Sequence, residues 1–138
     1  MMLSDFQAYS VFIYSLQNRY ASILTSTLVL APIGRTLGKL EGQIHFEKGI
    51  MLDVWELIDF DAGSIRNYSY EIYRGGEKIA WYDPFEHPHM PELASTYPHH
   101  KHIPPDIKNH RVPAPGISFE HPNLPIIIEE IENELLKE

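Results

Sequence analysis

Proline placement is the strongest constraint on how this chain folds. Ten of its eleven prolines lie after residue 83. Proline lacks a backbone donor and fixes φ, so it is excluded from helix interiors and central strands. Long regular elements are therefore expected before Pro84 and in a final stretch near the C-terminus. Seven of the eight glycines lie before residue 83, and seven of the eight histidines lie after residue 86. A glycine-punctuated scaffold thus precedes a Pro/His-rich segment, YDPFEHPHMPELASTYPHHKHIPPDIKNHR, running from Tyr82 to Arg111.

The scaffold can be read in order. Residues 4–20 predict a helix, with Ser4 and Gln7 as a capping box. Phe6, Tyr9, Ile13, Leu16 and Tyr20 recur at helical steps and form one apolar stripe. Residues 22–31 are β-branched and apolar and predict a strand ending at Pro32. Two more strands follow, Lys39 to Phe46 and Ile50 to Phe60. A three-residue loop, Glu47–Lys48–Gly49, would keep Ile44 opposite Leu52 and so keep the faces sorted. Gly75–Gly76 predicts a two-residue hairpin turn. Counted outward, it pairs Ile72 with Ile79, Tyr70 with Trp81 and Tyr68 with Asp83, which puts Asp83 at the rim of the apolar face. A last helix is expected from Leu124 to Lys137, with Asn123 as cap and Leu124, Ile128, Ile131 and Leu135 facing inward.

These elements define an α+β fold. It has an antiparallel meander of about five strands, an N-terminal and a C-terminal helix, and a long Pro/His-rich loop over residues 84–120. At 138 residues the chain is one domain, 1–138. Phe85, Met90, Leu93, Tyr97, Ile103, Ile107 and Val112 argue that the loop is ordered and packed. There is no cysteine, so thiolate chemistry is excluded. No signal-peptide pattern or apolar run of spanning length is present, and the expectation is a cytoplasmic protein without a membrane span. The net charge of −8 disfavours duplex DNA wrapping. Six Glu and one Lys in residues 120–138 carry most of that charge. Within 99–111, Lys101, Lys108 and Arg111 face one acid, Asp106, so a local anion site is compatible with the acidic total.

The densest chemistry lies in Tyr97-Pro98-His99-His100-Lys101-His102. In extended backbone His100 and His102 point one way and His99 the other. A second group, His87-Pro88-His89, follows Asp83 and Glu86. Three readings stay open. Two histidines could serve as acid and base on an RNA 2′-hydroxyl and phosphodiester, with Lys101 or Arg111 stabilising charge on phosphate. Some of His87, His89, His99, His100 and His102 could instead hold a divalent metal. The plain alternative is a solvated His-rich loop. Glu56 alternates with Leu52, Val54, Ile58 and Phe60 and so falls on the apolar face. Such a carboxylate must be paired or protonated. A structural hydrogen bond, or an ion pair with Arg66 or Arg74, is the plain reading, and a base or an acid orienting a loop histidine is the functional one. Tyr68, Tyr70 and Tyr73 read as strand aromatics with a base-stacking use in reserve.

The run from Tyr68-Ser69-Tyr70 through Tyr82-Asp83 and His87 to Pro98-His99-His100-Lys101-His102 resembles the TumE family of toxins from prokaryotic toxin–antitoxin pairs. The likeness extends over about the second two-thirds of the chain, from Ile50 onward. Tyr82, Asp83, His99, His100, Lys101 and His102 match the family pattern. Trp81 stands where the pattern has Arg, Pro84 where it has Asn, and His87-Pro88-His89 replaces a His-His pair. The resemblance implies a growth-inhibiting toxin with an antitoxin partner, and by analogy with other small toxins an RNA target. Taken with the residue reading, it directs attention to His100, His102, His87 and Asp83 as catalytic residues and to Lys101 and Tyr82, with Arg111 from the local cation group, as phosphate or substrate contacts; no cofactor is expected, and a divalent metal is the open option. A metal-dependent hydrolase using the same histidines, or a non-catalytic protein-binding module, are the alternatives.

Overall fold

The computed structural model describes residues 2–137. A 3-10 turn, Met2–Ser4, leads into helices α1 (Phe6–Tyr14) and α2 (Leu16–Arg19). Strands β1 (Ile23–Ser26), β2 (Val29–Ile33), β3 (Leu37–Phe46), β4 (Ile50–Asp59), β5 (Ser64–Arg74) and β6 (Glu77–Asp83) follow. The Pro/His-rich segment then supplies a 3-10 turn, Pro91–Thr96, and two short strands, β7 (His100–His102) and β8 (Arg111–Pro113). Helix α3 (Leu124–Glu134) closes the chain. The strands form one antiparallel sheet in the order β1-β3-β4-β5-β6-β7-β8, and β2 shares the outer edge of β3 with β1.

The α+β architecture is as expected, but the sheet is larger than five strands. Two causes account for the difference. The predicted strand 22–31 is broken at Thr27–Leu28, so it pairs with β3 as two pieces. Opposite the break, Gly42 adopts φ +142° and its Cα lies against the Thr27 backbone. The segment 84–120 is also not wholly loop. His100–His102 is proline-free, and β8 ends at Pro113 on the sheet edge, where a missing donor breaks no ladder.

The two faces of the sheet differ. Along β4 every second residue is buried: Ile50, Leu52, Val54, Glu56 and Ile58. Helices α1 and α3 cover that face with Tyr9, Phe12 and Ile13, and with Leu124, Ile127, Ile128 and Ile131. Burying each large aliphatic side chain stabilises the fold by about 1.5–3 kcal/mol. The predicted caps shift. Asp5, not Ser4, accepts the α1 cap bond from Ala8 N–H. Asn123 precedes α3 but turns its side chain inward, donating to Tyr70 Oη and the Ser118 carbonyl and accepting from Ser118 N–H. The glutamates of α3 are not all solvated: Glu130 pairs with Lys101, and Glu132 accepts from Ser22 Oγ at 2.6 Å.

The β3–β4 loop is the expected one. Lys48 and Gly49 both have positive φ, and Ile44 sits opposite Leu52. The Gly75–Gly76 turn also forms, with Arg74 opposite Glu77 and Tyr73 opposite Lys78. Beyond it the register departs from the simple count. Ile79 is an extra residue, so Ile72 pairs with Ala80, Glu71 with Trp81 and Tyr70 with Tyr82. The expected pairs Ile72–Ile79, Tyr70–Trp81 and Tyr68–Asp83 are therefore not formed.

Gly42 offers a direct check of the edge. A Cβ there would stand 2.6 Å from the Thr27 carbonyl oxygen. Gly42→Val should lower stability by about 2 kcal/mol or more in urea unfolding, while Gly75→Asn, in open space at a turn, should cost less than about 1 kcal/mol.

Candidate functional site

The bulge at Ile79 decides where the chemistry sits. With alternation resumed one residue late, Ala80 and Tyr82 enter the helix-covered face, and Trp81 and Asp83 turn to the opposite, open face. The expectation that Asp83 would lie at the rim of the apolar face is corrected accordingly. Strand β7 then pairs antiparallel with β6, setting His102 beside Trp81 and His100 beside Asp83. Because cross-strand partners share a face, His100 and His102 join Asp83.

The three side chains meet closely. His100 Nε2 lies 3.0 Å from Asp83 Oδ1, His102 Nε2 lies 3.3 Å from Asp83 Oδ2, and the two Nε2 atoms are 3.2 Å apart. The other ring nitrogens face backbone carbonyls: His100 Nδ1 that of Pro98 at 3.2 Å, and His102 Nδ1 that of Ile107 at 2.8 Å. Both imidazoles are buried. The Trp81 ring stacks on His102 at 4.3 Å, and His87 meets His100 edge-on at 4.9 Å between ring centroids. Burial alone would raise the Asp83 carboxyl, but its contacts with His100, His102 and the Phe85 N–H outweigh that and hold it well below the usual carboxylate range. Burial, reinforced by the charge of Arg111, lowers His87 below the ordinary imidazole value. Among the described residues, Asp83, His100 and His102 are the group whose donor atoms fit a metal ion, all within 4.8 Å of one another.

The cluster opens onto a groove of about 960 Å³. Trp55, Trp81 and Phe85 give it aromatic walls, and Lys78, Lys108 and Arg111 give it positive charge. Lys78 is held by Glu71 at 2.6 Å and stands over the Trp81 ring. Two buried donors at the groove, Trp81 Nε1 and Arg111 Nε, make no hydrogen bond among the described residues. Trp55 and Lys78 did not stand out as site residues in the sequence, Trp81 did so only as a departure from the family pattern, and Lys108 only as one of the cations of a local anion site. Strand alternation would have found the tryptophans, given the position of the bulge.

Other sequence candidates lie elsewhere. Lys101 alternates with the two histidines and so faces α3, where it pairs with Glu130 and stands over the Tyr82 ring. Tyr82 is buried beside it, and burial together with Glu130 pushes its hydroxyl upward. Neither lines the groove, whereas Arg111, the other residue expected to contact an anion, does. His99 also points to the helix side, where its Nδ1 meets Tyr68 Oη at 2.5 Å, and burial lowers its pKa. His89 is exposed and does not join the cluster. Of the five histidines considered as ligands, the structure brings His100 and His102 together and places His87 beside them.

Glu56 is structural in its contacts. It is fully buried and accepts hydrogen bonds of 2.5 Å from both Tyr9 and Tyr70. Its partners are tyrosines rather than Arg66 or Arg74; Arg66 lies 3.7 Å from Asp59. Tyr70 in turn stacks on Tyr68, which reaches His99. Burial raises the Glu56 carboxyl, and the bonds from Tyr70 and Tyr9 only partly oppose this.

Fold and site together define a small α+β protein with a histidine–carboxylate centre on the open face of an antiparallel sheet. The chain belongs to the TumE toxin family: the family model described as Toxin TumE matches residues 17–135. No match was found among curated proteins or solved structures. The family match reaches further toward the N-terminus than the motif-bearing region that begins at Ile50, and includes most of the sheet. Among the described residues no helix is long and apolar enough to cross a membrane.

Glu56 generates a pH-dependent expectation. Its folded pKa lies above the ordinary value of 4.5, so the folded state holds the proton more tightly. The associated stability is fully present below about pH 4.5 and is lost as pH rises through the folded value. Glu56→Gln should flatten that decline in chemical denaturation. Glu56→Ala should destabilise at every pH, because two buried tyrosine hydroxyls lose their acceptor at about 1–3 kcal/mol each.

Proposed function

We propose that this TumE-family toxin acts on RNA, cleaving a phosphodiester held in the groove beside Asp83, His100 and His102, and that an antitoxin protein neutralises it. One observation carries the reading: a carboxyl group and two orientation-locked imidazoles converge beside a groove that Asp83 and His102 line together with aromatic and cationic side chains. Unpaired bases stack on aromatic faces without regard to sequence, and cations take the backbone. Trp81, present where the family resemblance led one to expect Arg, supplies a stacking surface over His102. Arg111 and Lys108 supply positive charge at the same groove. The unpartnered Trp81 and Arg111 donors suit an acceptor-rich ligand such as phosphate or a base edge.

The spacing shapes the mechanism. Two nitrogens 3.2 Å apart cannot stand on opposite sides of a phosphorus centre. In this reading His100 and His102 therefore act as one unit with Asp83, at one position along the reacting bonds. His87, with its lowered pKa, is mostly neutral near pH 7 and is the base nearest to that unit.

Two experiments test this. Induced expression of the wild type should arrest growth and degrade cellular RNA, whereas a folded His100→Ala/His102→Ala variant should do neither. Arrest by that variant at matched expression would remove the centre from the mechanism. Trp81→Ala should weaken single-stranded RNA binding by about 1–3 kcal/mol in a fluorescence titration, as loss of one stacking platform does.

A further inference from the structure

We infer that Asp83, His100 and His102 form a binding site for a divalent first-row transition ion, with open coordination positions toward the groove. The ring nitrogens that face away from the cluster fix both tautomers. A carbonyl can only accept, so Nδ1 of each histidine must carry the proton it donates to Pro98 or Ile107. In the neutral rings both Nε2 atoms are then lone pairs. Those two nitrogens lie 3.2 Å from each other, and 3.0 and 3.3 Å from the two oxygens of the Asp83 carboxyl group. Buried acceptors so close to one another need a proton or a metal ion between them.

A single proton fills that role incompletely. On His100 Nε2 it could be shared between Asp83 Oδ1 and His102 Nε2, but the His102 lone pair and Asp83 Oδ2 would stay opposed at 3.3 Å. An ion satisfies all three groups at once. The spacings fit as well. With metal–ligand bonds of about 2.0–2.1 Å, neighbouring ligand atoms stand about 3.0 Å apart in an octahedron and about 3.4 Å apart in a tetrahedron. The two Nε2 atoms, 3.2 Å apart, lie in that interval, and each faces its own oxygen of the Asp83 carboxyl group, at 3.0 and 3.3 Å.

The surroundings have the form of a metal site. Each imidazole donates its outer N–H to a backbone carbonyl, which fixes its tautomer and orientation. Trp81 covers the His102 ring. Asp83 and His102 line the groove, which gives an ion and its remaining ligands access. Two imidazoles and one carboxylate suit zinc, cobalt or iron rather than calcium or magnesium, which prefer oxygen. The binding claim stands on geometry alone, whereas any part the ion takes in cleavage rests on the RNA reading above.

The test uses full-length protein purified without a polyhistidine tag. Titration with Co²⁺, followed by its visible absorption, and with Zn²⁺, followed by calorimetry and thermal melting, should show one equivalent bound at micromolar Kd or tighter, with a raised Tm. Asp83→Asn, which keeps the side-chain shape, and His102→Ala should each weaken binding by more than about 100-fold, beyond the loss expected from an outer partner. A His89→Ala/His110→Ala control should bind as the wild type does. Circular dichroism confirms that the variants fold. No saturable binding by wild type, binding untouched by Asp83→Asn, or equal loss in the control would overturn the inference. A protein that binds the ion as stated yet leaves RNA intact would uphold the site and remove the RNA reading.

Discussion

One inserted residue, Ile79, sets the arrangement of the candidate site in this protein. Side chains along a strand alternate, so one extra residue exchanges the faces of all that follow. Without the bulge, Trp81 and Asp83 would point into the apolar core and Ala80 and Tyr82 would point out. With it, the small Ala80 and the buried Tyr82 pack against the helices, and the carboxylate and indole reach the open face. Strand β7 then needs only regular pairing with β6 to bring His100 and His102 to Asp83.

The sheet thus separates two polar systems by face. On the helix side, Glu56 is enclosed by the hydroxyls of Tyr9 and Tyr70, and Asn123 ties Tyr70 to the start of α3. This network links α1, β4, β5 and the α3 terminus through buried hydrogen bonds, whose loss is expensive because no water can replace them. Lys101 and His99 belong to this side, each engaged with its own partner. On the open side the polar groups converge on one point and face a groove. The same tripeptide His100-Lys101-His102 serves both systems because its residues alternate.

The acidic net charge of −8 coexists with a cationic groove for a related reason. Much of the negative charge sits on and near α3, on the far side of the sheet, where Glu130 and Glu132 are partly engaged in internal contacts. Lys108 and Arg111 follow the last histidine of β7 and lie at the groove. Three cations therefore stand at the groove beside Asp83 and Glu86, and the local field there is not set by the total.

Much of the architecture was legible from residues alone. Period-two burial along β4, the left-handed Gly49 loop and the Gly75–Gly76 turn are local features, fixed by backbone sterics and by alternation that a sequence displays. The apolar stripes of α1 and α3 are equally local. The pairing of His100 with His102, and the opposition of His99, followed from extended geometry. Three things did not. The Ile79 bulge depends on whether Ala80 and Tyr82 pack better inside than Ile79 and Trp81, which is a property of the assembled core. The partners of Glu56 come from α1 and β5, at sequence separations of 47 and 14 residues, and no spacing rule announces them. Strands β7 and β8 exist only because β6 offers an edge to short proline-flanked segments. The sequence by itself determined the elements, their faces and the supply of chemical groups. The tertiary structure decided which of those groups meet, because contact between distant residues is set by register and packing rather than by order along the chain.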